Sequence, residues 1–148
     1  WYNAVDEAHD LIDHDVKMNI QGYDLDGDMV KCAMENARAA GVEQHIHFQQ
    51  RDVKDLRNPK KYGFIITNPP YGERLEEKEA LPELYRIIGE SYRNLDDWSM
   101  FLITSYTDAE KYIGRKADRN RKIYNGMIKS YFYQFMGPKP PKRRREEA

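Results

Sequence analysis

The sequence is poor in cysteine and has no long apolar run. One cysteine in 148 residues excludes an internal disulfide and any metal site built on several thiolates, a usage that suits a reducing, cytoplasmic setting. No stretch approaches the roughly 20 apolar residues that a membrane span needs, and no signal-peptide pattern opens the chain. Net charge is nearly absent too: 24 Lys and Arg face 25 Asp and Glu. With 40% hydrophobic and 33% charged residues, the composition is that of a globular chain long enough for one domain with a real core. It names no function.

The balance conceals a segregation. Residues 1–110 carry 12 basic and 22 acidic side chains, whereas residues 111–148 carry 12 basic and 3 acidic. A basic end is the electrostatic footprint of a surface that meets phosphate. It is equally what a solvated tail looks like, and Lys139-Pro140-Pro141-Lys142-Arg143-Arg144-Arg145 leaves both readings open. The first residue is Trp1 rather than Met, which predicts a piece of a longer protein.

The periodicity predicts alternating strands and helices. A polar helix over 3–15 precedes a strand from Met18 to Tyr23, and Asp24-Leu25-Asp26-Gly27 opens a second helix with Val30, Ala33, Met34 and Ala37 on one face and Gly41 as its stop. His45 to Gln50 reads as a strand. Tyr62 to Thr67 is a continuous apolar run of the buried parallel kind. A charged loop, Glu73 to Glu79, leads to a helix whose apolar face is Leu81, Leu84, Tyr85, Ile88, Tyr92 and Leu95. Met100 to Thr104 is another strand, and Thr107 with Glu110 predicts a capping box. Last, Asn125-Gly126 predicts a tight hairpin turn between Lys122–Tyr124 and Met127–Met136. Such alternation predicts an α/β fold with a mostly parallel sheet closed by an antiparallel hairpin, and ligands bind such sheets beyond the carboxyl ends of the strands.

The chemistry is therefore sought there. Asp24 ends its strand where a carboxylate can take both hydroxyls of a ribose, while Asp26 is assigned the helix N-cap. Asp52, two residues beyond the next strand, could accept an adenine amino group or serve as a turn former. Asn68-Pro69-Pro70-Tyr71 is more specific. The prolines stop the ladder and fix the backbone so that the Asn68 side-chain oxygen and the Pro69 carbonyl converge, two acceptors suited to a planar NH2 group. Tyr71 offers a flat ring for a base.

These residues resemble the class I S-adenosylmethionine-dependent methyltransferases that modify amino groups. Asn68-Pro69-Pro70-Tyr71-Gly72-Glu73-Arg74-Leu75 resembles the catalytic segment of the bacterial THUMP-domain-containing large-subunit ribosomal RNA guanine-N2 methyltransferases, often labelled N6-adenine-specific DNA methylases. Gly22-Tyr23-Asp24-Leu25-Asp26, Met34-Glu35-Asn36-Ala37, Lys122-Ile123-Tyr124-Asn125-Gly126 and Gly137-Pro138-Lys139-Pro140-Pro141 agree. The resemblance implies a Rossmann-like class I methyltransferase sheet whose first strand and glycine-rich loop are missing from this chain. That strand would lie between the ones ending at Asp24 and Thr67, so two strands should present unpaired edges and the isolated chain should be inactive. It further implies residues 1–137 as part of a catalytic domain, with 138–148 as a basic tail.

By the same resemblance the cofactor is S-adenosylmethionine, held by Asp24, Asp52 and Asn68, and the partner is ribosomal RNA, with no membrane or metal involved. Asn68, Pro69 and Tyr71 are the implied catalytic residues, and Pro70, Tyr71 and Arg74 the implied substrate contacts, for a base taken out of its stack. Arg115 to Lys122 could meet RNA phosphates. Val53 could pack on adenine or in the core. Cys32 is expected as a small core residue, and His45 and His47 as structural or solvent-facing. Competing readings are a DNA adenine-N6 methyltransferase, since that nitrogen is also a planar amine, a protein-glutamine methyltransferase, and a non-catalytic RNA-binding module. A nicotinamide dehydrogenase also has an acid after a strand but does not call for Asn68-Pro69-Pro70-Tyr71.

Overall fold

The structure, a computed structural model, describes residues 1–73 and 75–142. They form two compact units, Trp1–Asp52 and Val53–Ala148.

The first unit runs α1 (Tyr2–Asp10), β1 (Ile20–Asp24), α2 (Gly27–Ala39) and β2 (Ile46–Gln50). β1 and β2 pair in parallel, Ile20 opposite Ile46 through Asp24 opposite Gln50. α2 begins where sequence chemistry places it, because the Asp26 carboxylate accepts the Asp28 amide at 2.8 Å and satisfies an orphan donor of the first turn. Of the expected face of α2, Ala37 is buried and Val30 and Ala33 half-buried, while Met34 is exposed. Cys32, expected in a core, is exposed. The helix expected over 3–15 ends at Asp10, and Leu11 and Ile12 stand in solvent.

The second unit contains β3 (Phe64–Thr67), α3 (Leu75–Arg93), β4 (Ser99–Thr104), α4 (Ala109–Ile113), β5 (Arg119–Asn125) and β6 (Ile128–Phe135), with strand order β3-β4-β6-β5. β3 and β4 are parallel, and β6 runs antiparallel to both β4 and β5. The sheets are thus mixed, with parallel pairs and an antiparallel C-terminal hairpin, as the expected architecture required. Among the described residues β1 pairs only with β2, and β3 only with β4 and not with β1.

α3 packs on one sheet face. Leu81, Tyr85, Ile88 and Tyr92, spaced four, three and four residues apart, are buried against Met100, Leu102, Tyr133 and Phe135, with Ala109 and Ile113 of α4. That spacing is one helical stripe, and burying each large side chain stabilises the unit by roughly 1.5–3 kcal/mol. Gly89 permits the close approach of α3 and α4, since a Cβ there would meet the Ile113 carbonyl oxygen at 2.3 Å.

Three local expectations need correction. Helix α3 starts at Leu75, inside the segment read as a charged loop, because its Glu, Lys and Ala residues are good helix formers. The Thr107–Glu110 capping box does not form: the N-cap of α4 is Asp108, without a side-chain bond, and the Glu110 carboxylate accepts the Ala117 amide at 2.7 Å instead. The hairpin turn is centred on Gly126 and Met127, since Asn125 pairs with Ile128. Gly126 there has φ +61°, the first-position conformation of a II′ turn.

Candidate active site

The carboxyl ends of the strands carry the candidate residues. In the first unit, β1 stops at Asp24, whose carbonyl accepts the Arg51 amide at 2.9 Å. One oxygen of the Asp24 carboxylate accepts the Asp26 amide at 2.9 Å. The side chain is exposed, and its other oxygen has no partner among the described residues. The Gln50 amide donates to the Leu25 carbonyl at 2.9 Å and ties this turn to the end of β2. A Cβ on Gly27 would meet the Gln50 oxygen at 2.9 Å, so the turn fits closely against β2. Asp52, half-buried, follows β2 at the same end of the parallel pair and already has an interaction partner. The Arg51 guanidinium lies 4.9 Å from the Tyr23 ring centroid. An exposed carboxylate with a free oxygen suits a vicinal diol, and a second acid beyond the neighbouring strand suits an amine. The acceptor set fits a nucleoside.

In the second unit, β3 runs into Asn68-Pro69-Pro70-Tyr71-Gly72. Two anchors fix this turn. Gly72 is buried at φ +83°, where a Cβ would meet both Leu81 Cδ1 and Lys78 Cγ at 2.9 Å. The Pro70 carbonyl accepts the Tyr85 hydroxyl at 3.1 Å. Tyr85 Oη also lies 2.5 Å from Thr104 Oγ1, which accepts the Tyr106 amide at 3.0 Å. A phenol has one proton, so with Tyr85 donating to Pro70 the Thr104 hydroxyl donates to Tyr85. Burial pushes the Tyr85 phenol up to about 12, holding it as a neutral donor. Between the anchors, Asn68 is exposed and Pro69 buried. Neither the Asn68 side chain nor the Pro69 carbonyl has a hydrogen-bond partner among the described residues. Tyr71 is half-buried.

The sequence matches the family model described as RMKL-like, methyltransferase domain over residues 1–134. The chain belongs to this family. It is 40% identical over 147 residues to YpsC of Bacillus subtilis (strain 168), a candidate RNA methyltransferase, covering 99% of this chain and 38% of that protein. It is 36% identical over 119 residues to ribosomal RNA large subunit methyltransferase K/L of Syntrophotalea carbinolica, covering 77% of this chain and 17% of the relative. Among solved structures, SMU.472, a candidate methyltransferase complexed with SAH, superposes with a TM-score of 0.86 at 41% identity, covering 95% of this chain and 37% of the other. The chain therefore spans well under half the length of the relatives it matches.

Within this family domain the expected site residues are distributed as follows. Asp24 and Asp52 share one strand end in the first unit, and Asn68, Pro69, Pro70 and Tyr71 form one turn in the second. Arg74 lies outside the described residues, as does the Arg143-Arg144-Arg145 run. Val53 packs against the core of the second unit, its carbonyl accepting the Ser91 hydroxyl at 2.8 Å. His45 and His47 are exposed. Arg115, expected among the phosphate contacts, is committed within the fold: it donates to Tyr92 Oη at 3.0 Å, to Asp118 at 2.9 Å and to the Met136 carbonyl at 3.0 Å.

Sequence reasoning missed Tyr85 and Thr104 as supports of the turn, reading both as core. A signal existed. Tyr at a fully buried helix position and Thr closing an apolar strand each carry a hydroxyl that must find a partner.

Proposed function

We propose that the protein methylates the exocyclic N2 amino group of a guanine in ribosomal RNA, with S-adenosylmethionine as the donor. The reading is supported by family membership, by the ribosomal RNA methyltransferase K/L relatives, and by a close structural neighbour complexed with SAH. The observation that carries it is the turn after β3, anchored at Pro70 and Gly72 yet leaving the Asn68 side chain and the Pro69 carbonyl without a hydrogen-bond partner among the described residues.

Asp24 would hold the donor's ribose, and Asp52 its adenine amino group. When bound, the donor supplies a sulfonium methyl, an electrophile that needs no metal. The Asn68 oxygen and the Pro69 carbonyl accept the two N–H bonds of the planar amine, and Tyr71 stacks on the base. The acceptors draw the protons away from nitrogen and fix its direction of attack. Held in that direction, the nitrogen lone pair would face the methyl that the donor supplies, and the proton the amine sheds on transfer would leave to water. An aryl amine is a weak nucleophile because its lone pair is shared with the ring, so positioning matters more than a strong base.

The test is transfer by the full-length protein and its Asn68→Ala variant, with donor affinity measured separately. Loss of one preorganised polar contact should lower transfer about 100- to 1,000-fold while leaving the variant able to bind through Asp24 and Asp52. Transfer at the wild-type rate contradicts the proposal.

A further inference from the structure

We propose that one face of the β5–β6 hairpin is a stacking surface for the unpaired RNA strand that flanks the target base. β5 is exposed at all seven positions, and among the described residues β6 is its one strand partner. The register pairs Lys122 with Tyr131 and Tyr124 with Lys129, so two rings and two ammonium groups alternate on one face, Tyr124 as the open ring and Tyr131 half-buried, packed on the core and stacked on Tyr133. Tyr124 is 68% exposed. Lys129 Nζ lies 5.5 Å from the Tyr131 ring centroid, placing positive charge beside an aromatic surface. The two tyrosines occupy diagonal ladder positions, about 7–8 Å apart, roughly twice the 3.4 Å rise of a stacked strand. That spacing suits splayed bases rather than a duplex.

The charge around the rings is not compensated. Residues 111–142 hold nine basic side chains and one acid, and that acid, Asp118, is already taken by Arg115 and by the Met136 amide. Arg119, Arg121, Lys122 and Lys129 make no ion pair among the described residues. Like charges on one ribbon repel, and a phosphate backbone relieves this while the rings accept the bases. A chain of contacts through the interior links the hairpin to the turn after β3. Tyr131 sits opposite Thr104 on β4, the Thr104 hydroxyl meets Tyr85, and Tyr85 holds the Pro70 carbonyl. A base drawn out to Asn68 leaves its neighbours unstacked, and the hairpin offers them the open ring of Tyr124 beside the partly covered ring of Tyr131.

The inference rests on the RNA reading above, and its test separates the two. A labelled single-stranded RNA and a duplex of the same sequence are titrated with the full-length protein, with Tyr124→Ala and Tyr124→Phe, and with Lys122→Gln/Lys129→Gln. Tyr124→Ala should weaken single-strand binding about 5- to 150-fold with an unchanged salt slope, and Tyr124→Phe should restore it. The lysine pair should lower the salt slope by about 0.7 per charge removed. Wild-type affinity in Tyr124→Ala, or an equal loss on the duplex, overturns the inference while leaving the methyl-transfer reading intact. Failure of the wild-type protein to bind RNA overturns both.

Discussion

In Trp1–Asp52 Ala37 is the one buried apolar residue, whereas Val53–Ala148 closes a core of Leu81, Tyr85, Ile88, Tyr92, Met100, Leu102, Tyr133 and Phe135. The candidate residues are held accordingly. Asp24 and Asp26 each bond an amide two residues ahead, local turns that the chain makes without help from a core. The Asn68 turn is held instead by a hydroxyl 15 residues away, itself bonded to one 19 residues further on. A two-stranded pair is marginally stable on its own, so precision in the first unit comes from sequence-local geometry and from two bonds to the adjoining end of β2. In the second it comes from long-range packing. Substitutions far from Asn68 should therefore disturb the turn, while Asp24 should respond only to its chain neighbours and to the Gln50–Arg51 end of β2.

The largest expected effect tests the long-range side. Tyr85→Phe removes both hydroxyl bonds, frees the Pro70 carbonyl and leaves Thr104 short of a partner. Transfer should fall about 100-fold for a misplacement of around 1 Å, with donor affinity unchanged and amide exchange at 71–73 accelerated. If the exchange of those amides stays at the wild-type rate, Tyr85 does not hold the turn.

Alkali probes the same hydroxyl. The folded phenol, raised from 10.0 to about 12, keeps its proton where the unfolded chain has lost it. Its contribution is full below pH 10 and is lost as pH rises through about 12, a decline worth roughly 2–3 kcal/mol. Denaturant melts of the wild type between pH 10 and 12 should show this loss, and melts of Tyr85→Phe should lack it. An identical slope in both would assign the effect to other tyrosines.

Asp24→Asn tests the local side. Asparagine keeps an oxygen for the Asp26 amide while removing the charge, so the fold should persist and donor affinity should weaken about tenfold, the loss of a charge-assisted hydrogen bond. Calorimetric titration with the donor checks this, and unchanged affinity would remove Asp24 from the ribose site. At the small end, Glu83→Gln breaks an exposed pair with Arg86 and should shift stability by at most about 0.5 kcal/mol in a thermal melt.

The contrast also explains what the sequence made legible. Asp26 as a cap and the stop after Thr67 are local signals, a carboxylate before a helix and two prolines after an apolar run, and both are readable from a few residues. Asn68 and Pro69 were conspicuous for the same reason. The start of α3 was obscured because Glu77, Lys78 and Glu79 suit a solvated helix as well as a loop. Glu110 bonds Ala117 rather than closing a box with Thr107, a choice made by where the chain returns. The service of Tyr85 to Pro70 depends on α3 crossing the end of β4, and no spacing along the chain encodes that meeting.

The central claim is that the Asn68 oxygen and the Pro69 carbonyl grip an exocyclic guanine nitrogen, and product identity tests it most directly. Full-length protein is incubated with isotopically labelled donor and with ribosomal RNA or duplex DNA, and the nucleosides are resolved by mass spectrometry. Label recovered as N2-methylguanosine from RNA is the expected result. Label in N6-methyladenine from DNA, or in a nucleoside methylated on a ring carbon, contradicts it.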